Sequence, residues 1–170
     1  MIDLVSGGRA IAAGLSGSDV TSNLDPNLLA LVSVRNIGHL ATIKSNGRTQ
    51  VSSVDFTLDP ATALTRMSMI GNRVIARNLR RDPRASIFVD SPKGWPYALL
   101  EGTVELSPVA LAPNDEVAEE LVEIFRATRG TDHPDWEDYR AAMVADHYLV
   151  ASLHVERAYG LSGPSSVPSV

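Results

Sequence analysis

The chain contains no cysteine in 170 residues. This excludes disulfides, thiolate nucleophiles and cysteine-ligated metals, and leaves an oxidising compartment without support. Lysine is scarce too, since thirteen of the fifteen basic residues are arginine. The four histidines, His39, His133, His147 and His154, form no HxxxH pair or His-carboxylate cluster at ligand spacing, so no metal site is expected. The G-x-S-x-G elbow of serine hydrolases, the G-x-G-x-x-G dinucleotide fingerprint and the P-loop are all missing. No apolar run approaches the ~20 residues of a membrane-spanning helix. The N-terminal "LVSGGRAIAAGLSG" is too interrupted by glycine to read as a signal peptide, and a cytoplasmic protein is the expectation.

The composition that remains is that of a globular protein, with 44% hydrophobic and 21% charged residues. A formal net charge of −5 and a pI near 5.3 oppose wholesale binding to nucleic acid or a membrane surface, because the long-range field repels polyanions. Any anion site must be local. Gly, Ser and Ala dominate residues 1–23, and Ser and Pro dominate 162–170, so both read as flexible ends around one domain spanning 24–161.

Within that domain the pattern is orderly. Asp25 before Pro26 starts a helix with Leu28, Leu29 and Val32 on its apolar side. "IGHLATI" and "TQVSSVDFTL", joined by the Asn46-Gly47 turn, form a hairpin. In "LTRMSMI" the alternation puts Leu64, Arg66 and Ser68 on one face and Thr65, Met67 and Met69 on the other. Asn72 is placed to cap a short helix over 73–81, which Pro83 stops from continuing. "RASIFVD" and "YALLEGTVELS" follow as strands, with Gly102 marking a bulge. "NDEVAEELVEIFRATRG" is a helix that Gly130 ends, "PDWEDYRAAMVAD" is another, and "YLVASLHVERAYG" is a last strand. About six strands in hairpin-like succession with a few helices define an α+β, mainly β protein, closed as a small antiparallel barrel.

One stretch stands against the overall charge. Arg73, Arg77, Arg80, Arg81 and Arg84 fall within twelve residues, a third of all the basic side chains. At 100° per residue the first four share one helical stripe, while Val74, Ile75, Asn78 and Leu79 tend to the other, apolar side. That stripe is either a solvated face or an anion site. A helix start beside Arg73, directly after a strand, supports the second reading, as does the planar guanidinium fork, which suits phosphate or carboxylate. The neighbouring strand offers Gln50 and Ser52 on one face and Ser53 on the other. Trp95 and Tyr97 either stack on a planar ligand or plug a barrel end.

In their order, "IGHLATIKSNGRTQVSSVDF", "RNLRRDPRASIFVD" and "GWPYALLEGTVEL" resemble the flavin- and deazaflavin-binding split barrels related to pyridoxamine 5′-phosphate oxidase. The chain is most similar to the branch of oxidoreductases that use coenzyme F-420, over roughly residues 26–160. The resemblance implies a six-stranded antiparallel split barrel and a homodimer with the cofactor in a groove between subunits. It also implies hydride transfer from the reduced deazaflavin to a small conjugated acceptor. FMN is the alternative cofactor, and a non-catalytic protein that holds a flavin or tetrapyrrole is the alternative class. Carried onto this chain, the cofactor-binding residues are Gln50, Ser52, Ser53, Ser68, Arg73, Arg77 and Asn78, with Trp95 and Tyr97 near the ring or the substrate. No protein acid or base is implied. Two positions depart from the deazaflavin pattern: Ile75 stands where it has lysine, and Ser53 where asparagine is more usual. Losing a phosphate-facing cation removes a contact of about 1.5–3 kcal/mol, and Arg77 on the next turn is the nearest replacement.

Overall fold

Strands β1 (Ile37–Ile43) and β2 (Thr49–Asp59) form the expected hairpin. It turns through Gly47, whose φ of 79° is a left-handed conformation that glycine adopts without steric cost. The computed structural model describes residues 24–91 and 94–162, with backbone alone at Gly94 and Trp95. The flexible ends expected at 1–23 and 163–170, the turn at Pro92-Lys93 and the Trp95 side chain lie outside the described residues.

The remaining strands are β3 (Leu64–Ile70), β4 (Arg84–Ser91), β5 (Gly94–Leu106) and β6 (Tyr148–Leu161). They close into an antiparallel barrel in the order β1-β2-β3-β6-β5-β4. Alternation decides the inside: Leu40, Phe56, Met67, Ile87, Leu100 and Leu153 are each fully buried. The bulge expected at Gly102 is present, as a register shift between Glu101 and Gly102 where β5 crosses β6. A Cβ there would lie 1.9 Å from the His154 carbonyl oxygen, so only glycine permits the approach.

Among the described residues four helices flank the barrel. Helix α1 (Pro26–Ser33) starts as expected, with the Asp25 carboxylate accepting from the Asn27 N–H at 2.8 Å, and it adds Leu28, Leu29 and Val32 to the barrel core. Helix α2 (Val74–Arg81) adds Ile75, Ala76 and Leu79. Helix α3 (Glu116–Arg129) runs from the Asp115 cap to Gly130, and with α4 (Trp136–Ala145) it builds a second apolar cluster against Val150. Phe125, His133, Trp136 and Tyr139 gather in that helical pair, with the Arg126 guanidinium 4.7 Å from the Trp136 ring centre. Among the described residues no helix is long and apolar enough to cross a membrane.

Helix α2 differs from the sequence expectation in two respects. Its N-cap is Arg73 rather than Asn72, and no side chain caps it. The Arg73 N–H bonds the Ile70 carbonyl at 3.2 Å, which turns residues 71 and 72 before the helix can begin. Arg84 is the first residue of β4, as expected for "RASIFVD". Val74, expected on the apolar side, is exposed at the helix start.

Candidate functional site

The barrel is not paired all round. The β2–β3 ladder runs only from Phe56↔Met67 to Asp59↔Leu64. Beyond it, residues 49–55 of β2 pair with β1 alone, and residues 68–70 of β3 pair with β6 alone. One edge of each strand therefore faces a gap, and backbone groups on such an edge are available to a ligand.

A cavity of about 280 Å³ occupies this gap, lined by residues 52–55, by Ser68, Met69 and Ile70, and by Arg73, Ile75 and Tyr148. Period-two alternation explains the polar wall. Ser68 lies on the outward side of β3 because Met67 and Met69 take the inward side. Ile75 is 9% exposed and packs into the core, so the position where the deazaflavin pattern has lysine is here an apolar wall of the cavity. Asp55 would oppose an anion, but its carboxylate is paired with Arg129 on α3 at 2.7 Å.

A second cavity of about 650 Å³ adjoins the first across Ile70 and Arg73. Asn72, Val74, Arg77, Ala145, Asp146 and His147 complete it. Arg73 thus stands between two spaces. Among the described residues neither Arg73 nor Arg77 enters an ion pair. Arg77 Nη1 donates to the Asn72 carbonyl at 2.9 Å, which holds the guanidinium at the cavity wall.

The other three arginines are occupied locally. Arg80 Nη1 donates to the Gly71 carbonyl at 2.7 Å and Arg81 Nη2 to the Ile43 carbonyl. Arg84 grips Asp82 at 2.7 Å, and that hydrogen-bonded pair lowers the Asp82 carboxyl to about 2. Ser52, Ser53, Ser68 and Arg73 come together at the first cavity, and Arg77 lines the second. Gln50 and Asn78 are brought together elsewhere: Asn78 is buried and its Nδ2 donates to Thr42 Oγ1 at 3.1 Å and Gln50 Oε1 at 3.2 Å. That amide ties α2 to the barrel wall and lines neither cavity.

Tyr97 lies on the outer barrel face, away from both cavities, with its ring 5.8 Å from that of Phe88. Phe88 in turn stacks on His39 at 6.3 Å, and Ser53 Oγ hydrogen-bonds His39 Nδ1 at 3.3 Å. The registers set Ser53, His39, Phe88, Leu99 and Tyr159 in one row across five strands. Ile37, Val51 and Tyr97 beside that row are 57%, 61% and 38% exposed, so this sheet face carries an uncovered apolar patch.

Sequence reasoning missed Tyr148, Met69 and His147. The signal for Tyr148 is its place at the start of the last strand, opposite Ile70, which only the strand order reveals.

A closed antiparallel barrel of six strands in this order is the frame of a split barrel. The chain belongs to the pyridoxamine 5′-phosphate oxidase family, whose model matches residues 24–160. Among solved structures it is similar to an F420 reductase, at 19% identity and a TM-score of 0.58, covering 76% of this chain and 94% of that one. It is also similar to HutZ, the heme storage protein from Vibrio cholerae, at 16% identity and a TM-score of 0.59, covering 80% and 93%. A heme-binding protein from Mycobacterium smegmatis matches at 21% identity and a TM-score of 0.52, covering 91% and 57%. At these identities the likeness is one of fold.

Proposed function

We propose that this protein is an oxidoreductase that uses coenzyme F-420, bound in the gap between β2 and β3, to reduce a small conjugated acceptor. The observation that carries the reading is Arg73, a cation outside any ion pair among the described residues, standing where a small polar cavity meets a larger one. The residues present fit such a group. The serine hydroxyls supply donors and acceptors for a heterocycle, Met69 and Ile75 give it an apolar wall, and Arg73 takes an anionic tail.

When bound, the reduced deazaflavin supplies the hydride. The chain's own residues bind and orient. Arg73 anchors the tail, Ser52, Ser53 and Ser68 fix the heterocycle by hydrogen bonds, and the apolar wall keeps water from one side. Gln50 and Asn78 contribute indirectly, by holding α2 against the barrel so that Arg73 stays aimed at the gap.

The proposal includes a homodimer. The uncovered patch around His39, Phe88 and Tyr97 begins at Ser53, a residue that also lines the first cavity, so a second copy seated there would meet the gap and enclose it. Tyr97 would then serve the ring or substrate from that interface.

A second reading is a non-catalytic tetrapyrrole-binding protein, favoured by the two heme proteins among the structural neighbours. FMN is the alternative for the flavin reading, since Ile75 replaces a phosphate-facing lysine. The experiment is a titration of the ligand-free protein with coenzyme F-420, FMN and heme, followed by tryptophan fluorescence and then turnover with conjugated acceptors. Micromolar binding of F-420 with acceptor reduction supports the proposal. Preference for FMN transfers the chemistry to a flavin, and tight heme binding without turnover replaces the enzyme reading.

A further inference from the structure

Asp55 stands where β2 and β3 part. The ladder between them ends at Phe56↔Met67, two side chains that are fully buried in the barrel. Alternation turns the next residue of each strand outward, and one more step of the same register would set Asp55 against Ser68. The strands diverge there instead, and both residues line the first cavity. The apex of the split thus carries a carboxylate on one bank and a hydroxyl on the other. Farther along, past the end of β3, Arg73 lines the same cavity, so the space has an acceptor at its closed end and a cation toward its open end.

The two banks make different demands. Asp55 is held from one side, by Arg129 Nη2, which donates to Oδ2 at 2.7 Å. The ion pair fixes the carboxylate on the outer side of the split, and Oδ1 receives no hydrogen bond among the described residues. An ionised carboxylate accepts and cannot donate, whereas a hydroxyl does either. Asp55 therefore sets what a ligand must present at the apex, and Ser68 adapts to it. Ser53, also outward on β2 at this cavity, is already engaged by His39 at 3.3 Å and is less free to do so.

We infer that Asp55 determines ligand specificity: with Ser68 it selects a lactam edge, Asp55 Oδ1 accepting from a ring N–H and Ser68 Oγ donating to the carbonyl beside it. This rests on the proposed role of the first cavity as a heterocycle site, and it names what the heterocycle must carry. A ring that enters with an N–H next to a carbonyl satisfies both banks, and an anionic tail then trails toward Arg73. A ring without that N–H leaves the carboxylate oxygen desolvated and unpaired, which costs more than the bond itself gains. Heme carries carboxylates at its rim and no N–H there, so the apex opposes it.

The test compares oxidised riboflavin with its N3-methyl derivative, in which a methyl group replaces the ring N–H. Neither has an anionic tail, so Arg73 is not engaged. Binding to the full chain is followed by quenching of flavin fluorescence, a readout that needs no turnover. Wild type should bind riboflavin about tenfold more tightly than the methyl derivative. In Asp55→Asn the amide oxygen stays on Arg129 and an N–H turns to the apex, so the two ligands should bind within about twofold of each other. Ser68→Ala should weaken both and leave their ratio unchanged. Arg129→Gln breaks the same ion pair without removing the acceptor, so it should keep the preference for riboflavin. The inference is overturned if wild type binds the two ligands equally or binds no riboflavin, if Asp55→Asn keeps the preference, or if Arg129→Gln loses it as Asp55→Asn does. Coenzyme F-420 separates the two claims. Micromolar binding of F-420 beside equal binding of the two riboflavins removes the lactam-selecting apex and leaves the proposed cofactor standing. Failure to bind F-420 with the N3–H preference intact does the reverse.

Discussion

Between β5 and β6 the strand ladder runs from Tyr97↔Leu161 to Leu106↔Ala151, whereas between β2 and β3 it stops after four residue pairs. The two seams belong to one barrel and are built from different residues. The long seam brings backbones so close at Gly102 that no side chain fits. The short seam ends in serines, an apolar wall and a cation. Closure therefore stabilises the fold on one side, while incomplete closure on the other leaves polar edges that a ligand can complete. The same division runs through the arginines: Arg80, Arg81 and Arg84 each bind a carbonyl or carboxylate of their own chain, and Arg73 faces open space.

Substitutions should separate the seams. The largest stability effect belongs to the closed one. Gly102→Ala should cost about 3 kcal/mol in chemical denaturation, because the clash is with backbone that cannot rotate away. Asn78→Ala, which removes the buried amide behind the open seam, should cost about 2 kcal/mol by leaving Thr42 and Gln50 short of a partner. Arg73→Ala should reverse the pattern. Its stability should stay within about 0.5 kcal/mol of wild type, while affinity for the cofactor falls by about one to two decades, corresponding to about 1.5–3 kcal/mol. Equal loss of affinity in Arg80→Ala would break the distinction between the two groups of arginines.

The smallest effect is that of acid. Asp115 accepts from the Leu111, Ala112 and Ala118 N–H groups, and these bonds, Leu111 first, hold its carboxyl below the usual range; the Arg84 hydrogen bond does the same for Asp82. Depressed native values mean that both contributions are complete above the ordinary carboxylate range near 4. They are lost as the pH falls, for Asp82 down to about 2. Thermal melts from pH 6 to pH 2 should show that decline, and Asp115→Asn should flatten part of it.

Much of the frame was legible because short-range rules fix it. The Asn46-Gly47 turn, the Gly102 bulge, the faces of β3 and the Gly130 stop each follow from residues within a few positions of one another. Ser68 and Arg73 were legible on the same basis, as an outward strand position and a helix start. Other features depend on distant chain and were not. Asn78 is buried because Thr42 and Gln50 lie beneath it, and Tyr148 reaches the gap because β6 inserts next to β3. The helix start moved by one residue for a similar reason: the Gly71 N–H is drawn to the His147 carbonyl, a contact from the far end of the chain.

The most direct test of the account is backbone amide hydrogen exchange of the protein with and without saturating coenzyme F-420. The account predicts new protection at residues 52–55 and 68–75, along the open seam and the start of α2, with little change along β5 and β6. Protection confined to the outer face around His39, Phe88 and Tyr97, with residues 52–55 and 68–75 unchanged, would contradict it.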